Sequence, residues 1–156
     1  MKKALLALVL GALAVVGAQP AAATTFPTLT TIYVGSGVRD SAAGPNAGSA
    51  TIVNCSNVSG ETASVRMLFL HANGSIAGLH TFNSVAHGST VTLATHSVST
   101  YVVTSLNVLQ IAQGVVNIES TQSGVFCNAA VIEASQQAFT APIPLVRVNP
   151  HSGTVE

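Results

Sequence analysis

The sequence predicts an all-β protein, an antiparallel β-sandwich of about seven to nine strands with one inter-strand disulfide. Three observations carry this expectation. From Thr28 onward apolar and polar residues alternate with a period of two, and β-branched side chains dominate. Clusters of Gly, Asn, Pro and Ser interrupt those runs at short intervals, where turns demand a positive or fixed φ. The chain has two cysteines, Cys55 and Cys127, each inside a β-like run.

Ahead of the β-rich part stands a leader. Lys2 and Lys3 form a positive end, Ala4 to Ala18 an apolar run, and Ala21-Ala22-Ala23 a small-residue cleavage site. This is the pattern of a secretory signal peptide over residues 1–23, with Thr24 opening the mature chain. The Lys-Lys opening and alanine-rich cleavage site point to a bacterial exporter and to a periplasmic or extracellular destination. The apolar run is shorter than the ~20 residues that cross a bilayer, so no integral span is expected once the leader is removed. No cysteine follows the cleavage site, which disfavours a lipid anchor. Asn54, Asn57 and Asn73 each open an Asn-x-Ser triplet, which would accept glycans only in a eukaryotic host.

Both lysines lie in the leader, so residues 24–156 carry only Arg39, Arg66 and Arg147 against Asp40, Glu61, Glu119, Glu133 and Glu156. Neutralising phosphates needs a basic patch, and three scattered arginines cannot build one. Nucleic acid and anionic membrane are therefore not the expected partners. A surface so poor in charge is solvated by Ser, Thr, Asn and Gln, and suits a protein that packs against other proteins or against copies of itself.

The strands are expected in this order. Runs at 30–34, 49–54, 63–72, 75–83, 89–95, 100–105, 114–121, 125–133 and 143–148 alternate or are rich in Val, Ile and Thr. Asn73-Gly74 predicts a two-residue type I′ hairpin in which Ala72 opposes Ser75, Phe69 opposes Gly78 and Met67 opposes His80. Val65, Met67 and Phe69 then share one face and Leu68 and Leu70 the other, which assigns this strand to the middle of the fold. The segment 106–113 reads equally as strand or as a helical turn. Residues 35–48, rich in Gly, Ser and Ala, form the longest irregular stretch, and 149–156 a C-terminal tail. One domain over 24–156 accommodates all of this.

In an oxidising compartment the lone cysteine pair is expected to be a disulfide. Closing a loop of 72 residues contributes on the order of 4 kcal/mol in the chain-entropy model.

The run Ser49 to Gly60, the strand Ala63 to Leu70, the turn Ala72-Asn73-Gly74-Ser75 and the step Ala86-His87-Gly88-Ser89-Thr90-Val91 together resemble bacterial immunoglobulin-like modules, the FxLYD type among them. The resemblance implies an immunoglobulin-like β-sandwich. It also implies that Cys55 and Cys127 stand where such domains bridge their two sheets, although no Trp is present to pack against the bridge. It implies no activity.

Residues that could carry chemistry are few. Among His71, His80, His87, His96 and His151, no two stand at the i,i+2 or i,i+4 spacing that points two ligands the same way. His71 and His80 are weak metal candidates, sharing a face of the hairpin but lying several residue pairs apart. No Gly-x-Ser-x-Gly elbow is present, and Asp40 is the sole aspartate. Glu61, Glu119 and Glu133 could supply paired carboxylates for a glycosidase, but platforms for sugar stacking are nearly lacking. Gly35-Ser36-Gly37-Val38-Arg39-Asp40 lacks the third glycine and the following helix of a nucleotide-binding turn. Arg39 and Asp40 are nevertheless candidates for a binding loop, unless they pair with each other or with Glu61 or Arg147. The expectation is an exported, non-catalytic structural or surface module that self-associates and needs no cofactor. A binding domain acting through residues 35–48 is the alternative, followed by a metal-dependent protein.

Protein recovered from its secreting host should have the intact mass of a chain beginning at Thr24. A mass that retains residues 1–23 would remove the signal-peptide reading.

Overall fold

A computed structural model describes residues 23–98, 104–136 and 138–148. The leader over 1–22, most of the strand expected at 100–105, the tail 149–156 and His151 lie outside the described residues. The chain is all-β. Its strands are β1 (Thr25–Asp40), β2 (Ser49–Asn57), β3 (Ala63–His71), β4 (Ile76–Val85), β5 (Thr90–Ala94), β6 (Thr104–Ser105), β7 (Ile111–Gln122), β8 (Val125–Glu133), β9 (Ala138–Ile143) and β10 (Leu145–Arg147). They form two five-stranded sheets, one ordered β10-β1-β7-β3-β4 and the other β6-β5-β2-β8-β9. All pairings are antiparallel except β5 with β6.

The period-two pattern decides which side of each strand is buried. Ala63, Val65, Met67 and Phe69 of β3, Val116 and Ile118 of β7, Tyr33 of β1, and Val53, Cys55 and Leu93 of the second sheet meet in one core between the sheets. Each fully buried side chain of this size contributes roughly 1.5–3 kcal/mol. A second, smaller cluster covers part of the far face of the second sheet, where Val98 packs on Ala50, Ile52, Ala94, Ile132 and Ala134. β3 lies between β7 and β4, inside its sheet as its two apolar faces predict.

The described residues form ten strands where seven to nine were expected, and the differences have identifiable causes. β1 runs on to Asp40, so Gly35 and Gly37 do not open a loop; the irregular stretch begins only at Ser41. Register shifts between Ser36 and Val38 and between Val38 and Asp40 bend β1 without ending it. Gly35 sits where β10 packs closely: a Cβ there would fall 2.6 Å from Leu145 Cδ2, and that side chain would have to move. The C-terminal strand expected at 143–148 is divided. β9 ends one sheet and β10 starts the edge of the other, with Pro144 alone between them. Residues 106–110 are neither strand nor helix. Leu106 and Val108 donate backbone bonds to Ala94 and Thr95 and insert their side chains under Gly78, which closes the β4 side of the sandwich.

The Asn73-Gly74 hairpin forms, but not as a two-residue type I′ turn. Gly74 N–H bonds the His71 carbonyl, His71 N–H bonds the Ser75 carbonyl, and only Gly74 has a positive φ. Asn73 Oδ1 accepts the N–H and hydroxyl of Ser75, which holds Asn73 out of the left-handed region that a type I′ turn would demand. The loop therefore has three residues. A register shift at Ala77 absorbs the extra residue, so that Phe69 opposite Gly78 and Met67 opposite His80 are found as expected while Leu70, not His71, faces Ile76.

Cys55 and Cys127 form the disulfide. They are direct partners on β2 and β8, with Cα atoms 4.2 Å apart. The bridge thus staples two neighbouring strands of one sheet, and the inter-sheet placement implied by the immunoglobulin resemblance is corrected.

Reduction, or replacement of both cysteines by serine, should lower the unfolding free energy by up to about 4 kcal/mol. Urea unfolding with and without reductant measures this, and an unchanged midpoint would show that the bridge carries no stability.

Candidate functional site

A sheet that buries a carboxylate must give it a partner, because an ion taken out of water without one costs several kcal/mol. Asp40, at the end of β1, is buried, and its partner is His96, 56 residues away, just past β5. Asp40 Oδ2 lies 2.8 Å from His96 Nδ1, and Oδ1 accepts the Ala42 N–H at 2.7 Å. The second bond supports Ala42 in a left-handed conformation, φ 53°, that non-glycine residues seldom adopt. A carboxylate accepting at both oxygens fixes the donor on Nδ1. His96 Nε2 is then left buried with no hydrogen-bond partner among the described residues.

The ion pair expected between Asp40 and Arg39, or with Glu61 or Arg147, does not form. Arg39 is exposed and makes no ion pair among the described residues. Its backbone is held instead: Arg39 N–H donates to Thr51 Oγ1, and that hydroxyl donates back to the Arg39 carbonyl, both at 2.9 Å. Arg147 donates to Tyr33 Oη and to the Ser123 carbonyl, and its guanidinium stacks over Tyr33 and Phe126. Glu61 lies in the β2–β3 connection, where its carbonyl accepts from Asn57 Nδ2. That same Asn57 side chain is buried and bonded at both ends, so it is not a glycan acceptor in the folded chain.

Two clefts stand beside these residues. One, of about 500 Å³, is lined by Ser36, Gly37 and Arg39 of β1, Val131 of β8, and 140–144 where β9 crosses to β10. The other, of about 360 Å³, is lined by Ala42, Gly44, Pro45, His96, Asn107, Val108 and Leu109. Arg39 and Asp40 are therefore adjacent in sequence but serve opposite purposes, one facing solvent at a cleft and the other anchoring the loop that follows.

The Asp40–His96 pair resembles two-thirds of a hydrolytic triad in geometry, yet no hydroxyl or thiol of the described residues stands within hydrogen-bonding distance of Nε2. The carboxylates considered for sugar hydrolysis are dispersed. Glu119 pairs with Arg66 across β7 and β3, Glu133 bonds Ser135 at the end of β8, and Glu61 is in a loop. His71 ends β3 opposite Gly114, while His80 sits within β4 with its ring edge-on to Phe82 at 4.5 Å. His87 Nδ1 accepts the Gly60 N–H. Among the described residues no three His, Cys, Asp or Glu side chains come together to hold a metal ion.

The residue that sequence reasoning missed is His96. The available signal was indirect: the chain's single aspartate, at the end of a β-run, needs a partner if buried, and nothing local in sequence identifies a partner so distant.

A broader feature lies on the outer face of the β10-β1-β7-β3-β4 sheet. One row across the strands reads Val146, Val34, Asn117, Leu68 and Leu79; the next reads Ser36, Val115, Leu70 and Ile76. Seven of these nine side chains are apolar. Ile76, Leu79 and Val146 are 61%, 48% and 67% exposed. Arg66 and Glu119 border the patch on one side.

No family model matches the chain, nor does any curated protein or solved structure.

Asp40→Ala and His96→Leu should each destabilise the fold by about 3 kcal/mol, since either leaves a buried polar group unpaired. In a double-mutant cycle the pair should couple by roughly 0.5–3 kcal/mol. Strict additivity in urea unfolding would show that the bond contributes nothing.

Proposed function

We propose that this protein is an exported, non-catalytic, immunoglobulin-like β-sandwich that works by surface contact, as a self-associating structural or surface module of the periplasm or the extracellular space. The observation that carries the reading is the apolar outer face of the β1-containing sheet. Monomers seldom leave a contiguous apolar patch on a sheet face without a use for it. The far face of the other sheet is, by contrast, partly covered by Val98 and the segment that carries it. The leader pattern, the disulfide and the low charge all suit a protein made for an oxidising compartment.

Arg39 favours a second reading, in which the 500 Å³ cleft between β1 and β9 takes a ligand bearing a carboxylate. A guanidinium without an ion pair at a cleft mouth is a natural carboxylate fork. Arg39→Ala alone tests this, because removing Asp40 as well would disturb the buried pair. Partner recovery from envelope extract unchanged by Arg39→Ala would eliminate the cleft.

The self-association reading predicts a solution mass that rises with concentration above that of the monomer. It also predicts that Ile76→Ser combined with Leu79→Ser returns the protein to monomer while its circular dichroism is unchanged. A wild-type protein that stays monomeric in analytical ultracentrifugation over roughly 10–100 μM, the range that a micromolar dimer populates, would overturn it.

A further inference from the structure

We propose that two copies of this chain pair edge to edge through β4, antiparallel about a two-fold axis near Leu79, to make one continuous ten-stranded sheet; this rests on the self-association reading above and names its interface.

The argument begins from the four sheet edges. An edge strand exposes unpaired N–H and C=O groups, and proteins blunt such edges by shortening them or placing Pro or charge on them. Three of the four are blunted here. β6 has two residues, β10 has three, and β9 carries Pro142. β4 has ten residues, Ile76–Val85, with no Pro and no Asp, Glu, Lys or Arg. It pairs with β3 alone, and no loop or turn backbone bonds its other side among the described residues. Leu106 and Val108 bond Ala94 and Thr95 and fill space beneath Gly78, so among the described residues the edge itself stays open.

The occupant that fits is a second copy. An antiparallel strand pair is self-complementary about a two-fold axis, so each free N–H of one β4 meets a free C=O of the other. The side chains agree with the backbone. Ile76 and Leu79 stand on the outer face beside Leu68, Leu70 and Val115. A two-fold axis near Leu79 sets Leu79 against its own mate and joins the two apolar clusters into one. No formal charge on β4 opposes its copy. An unrelated extended peptide would satisfy the edge but would bring no second Leu79 to pack against this one. The open stretch 76–82 spans only ~24 Å at a strand's rise per residue, which suits a weak, reversible dimer. The pairing is isologous and uses up the one long edge, so assembly closes at two copies and does not run on into fibres.

The test uses protein purified after expression of the full chain, leader included, in wild-type, Leu79→Lys, Val146→Lys and Leu79→Cys forms. Sedimentation over roughly 10–100 μM reads the mass, and circular dichroism checks that each variant folds. The expected result is a wild-type dimer, a Leu79→Lys monomer because two like charges then face each other, and a Val146→Lys dimer because that residue lies at the far edge of the sheet. Leu79→Cys should oxidise to a covalent dimer, which keeps the proposal testable if the lysine variant fails to fold. Loss of the dimer in both lysine variants would mean that the faces stack, overturning edge pairing while leaving self-association standing. A dimer in which Leu79→Cys does not cross-link also overturns the edge pairing. A monomeric wild type overturns both readings.

Discussion

A sandwich of two five-stranded sheets has four edges, and the unpaired backbone at each must be shortened, blocked, covered or shared. That constraint organises this molecule. On one side the chain passes directly from β9 to β10 through Pro144, so that one segment ends one sheet and begins the other. Gly35 makes room for the crossing. On the opposite side Leu106 and Val108 fill the gap beneath Gly78, sealing the core without covering the β4 backbone. The contacts that close the core thus also decide which edge stays available.

Polar groups tie the two sheets where apolar packing thins out. The reciprocal bonds between Arg39 and Thr51 link β1 to β2, and the Asp40–His96 pair links the end of β1 to the segment following β5. Arg147 reaches from β10 to Ser123 in the β7–β8 turn and lies over Phe126. Asn57 bonds across the loops at the far end of β2. In a chain with so few charges, two of its three arginines after the leader and its sole aspartate are engaged in holding strands in place. The buried His96 imidazole keeps one nitrogen, Nε2, with no hydrogen-bond partner among the described residues. The surface, with its apolar sheet face, is the part of the molecule without an internal purpose.

The fold class was legible in the sequence because a half-buried strand needs alternating side chains whatever its neighbours are. β8 was read with its actual bounds, Val125–Glu133, since turn residues flank a clean run on both sides. The hairpin pairing of β3 with β4 was legible for the same reason, though its turn type was not: the side chain of Asn73 bonds Ser75, a local competition that the Asn-Gly signal does not reveal. Glycines misled where they mark close approach. Gly35 and Gly37 were read as a turn, yet β1 continues through them: β10 packs against Gly35, and Gly37 takes a positive φ of 102° at a register shift within the strand.

By itself the sequence determined the all-β class, the cysteine pairing, the poverty of charge and the apolar faces of β3, since all of these follow from residue type and local period. Only the tertiary structure decided that the disulfide lies within one sheet, that Asp40 meets His96, that Arg39 faces a cleft, and that β4 is a ten-residue edge strand paired, among the described residues, with β3 alone. Each of those depends on strand order and on crossovers between distant segments. Many orders satisfy the same alternation, and only the packing of the whole core selects among them.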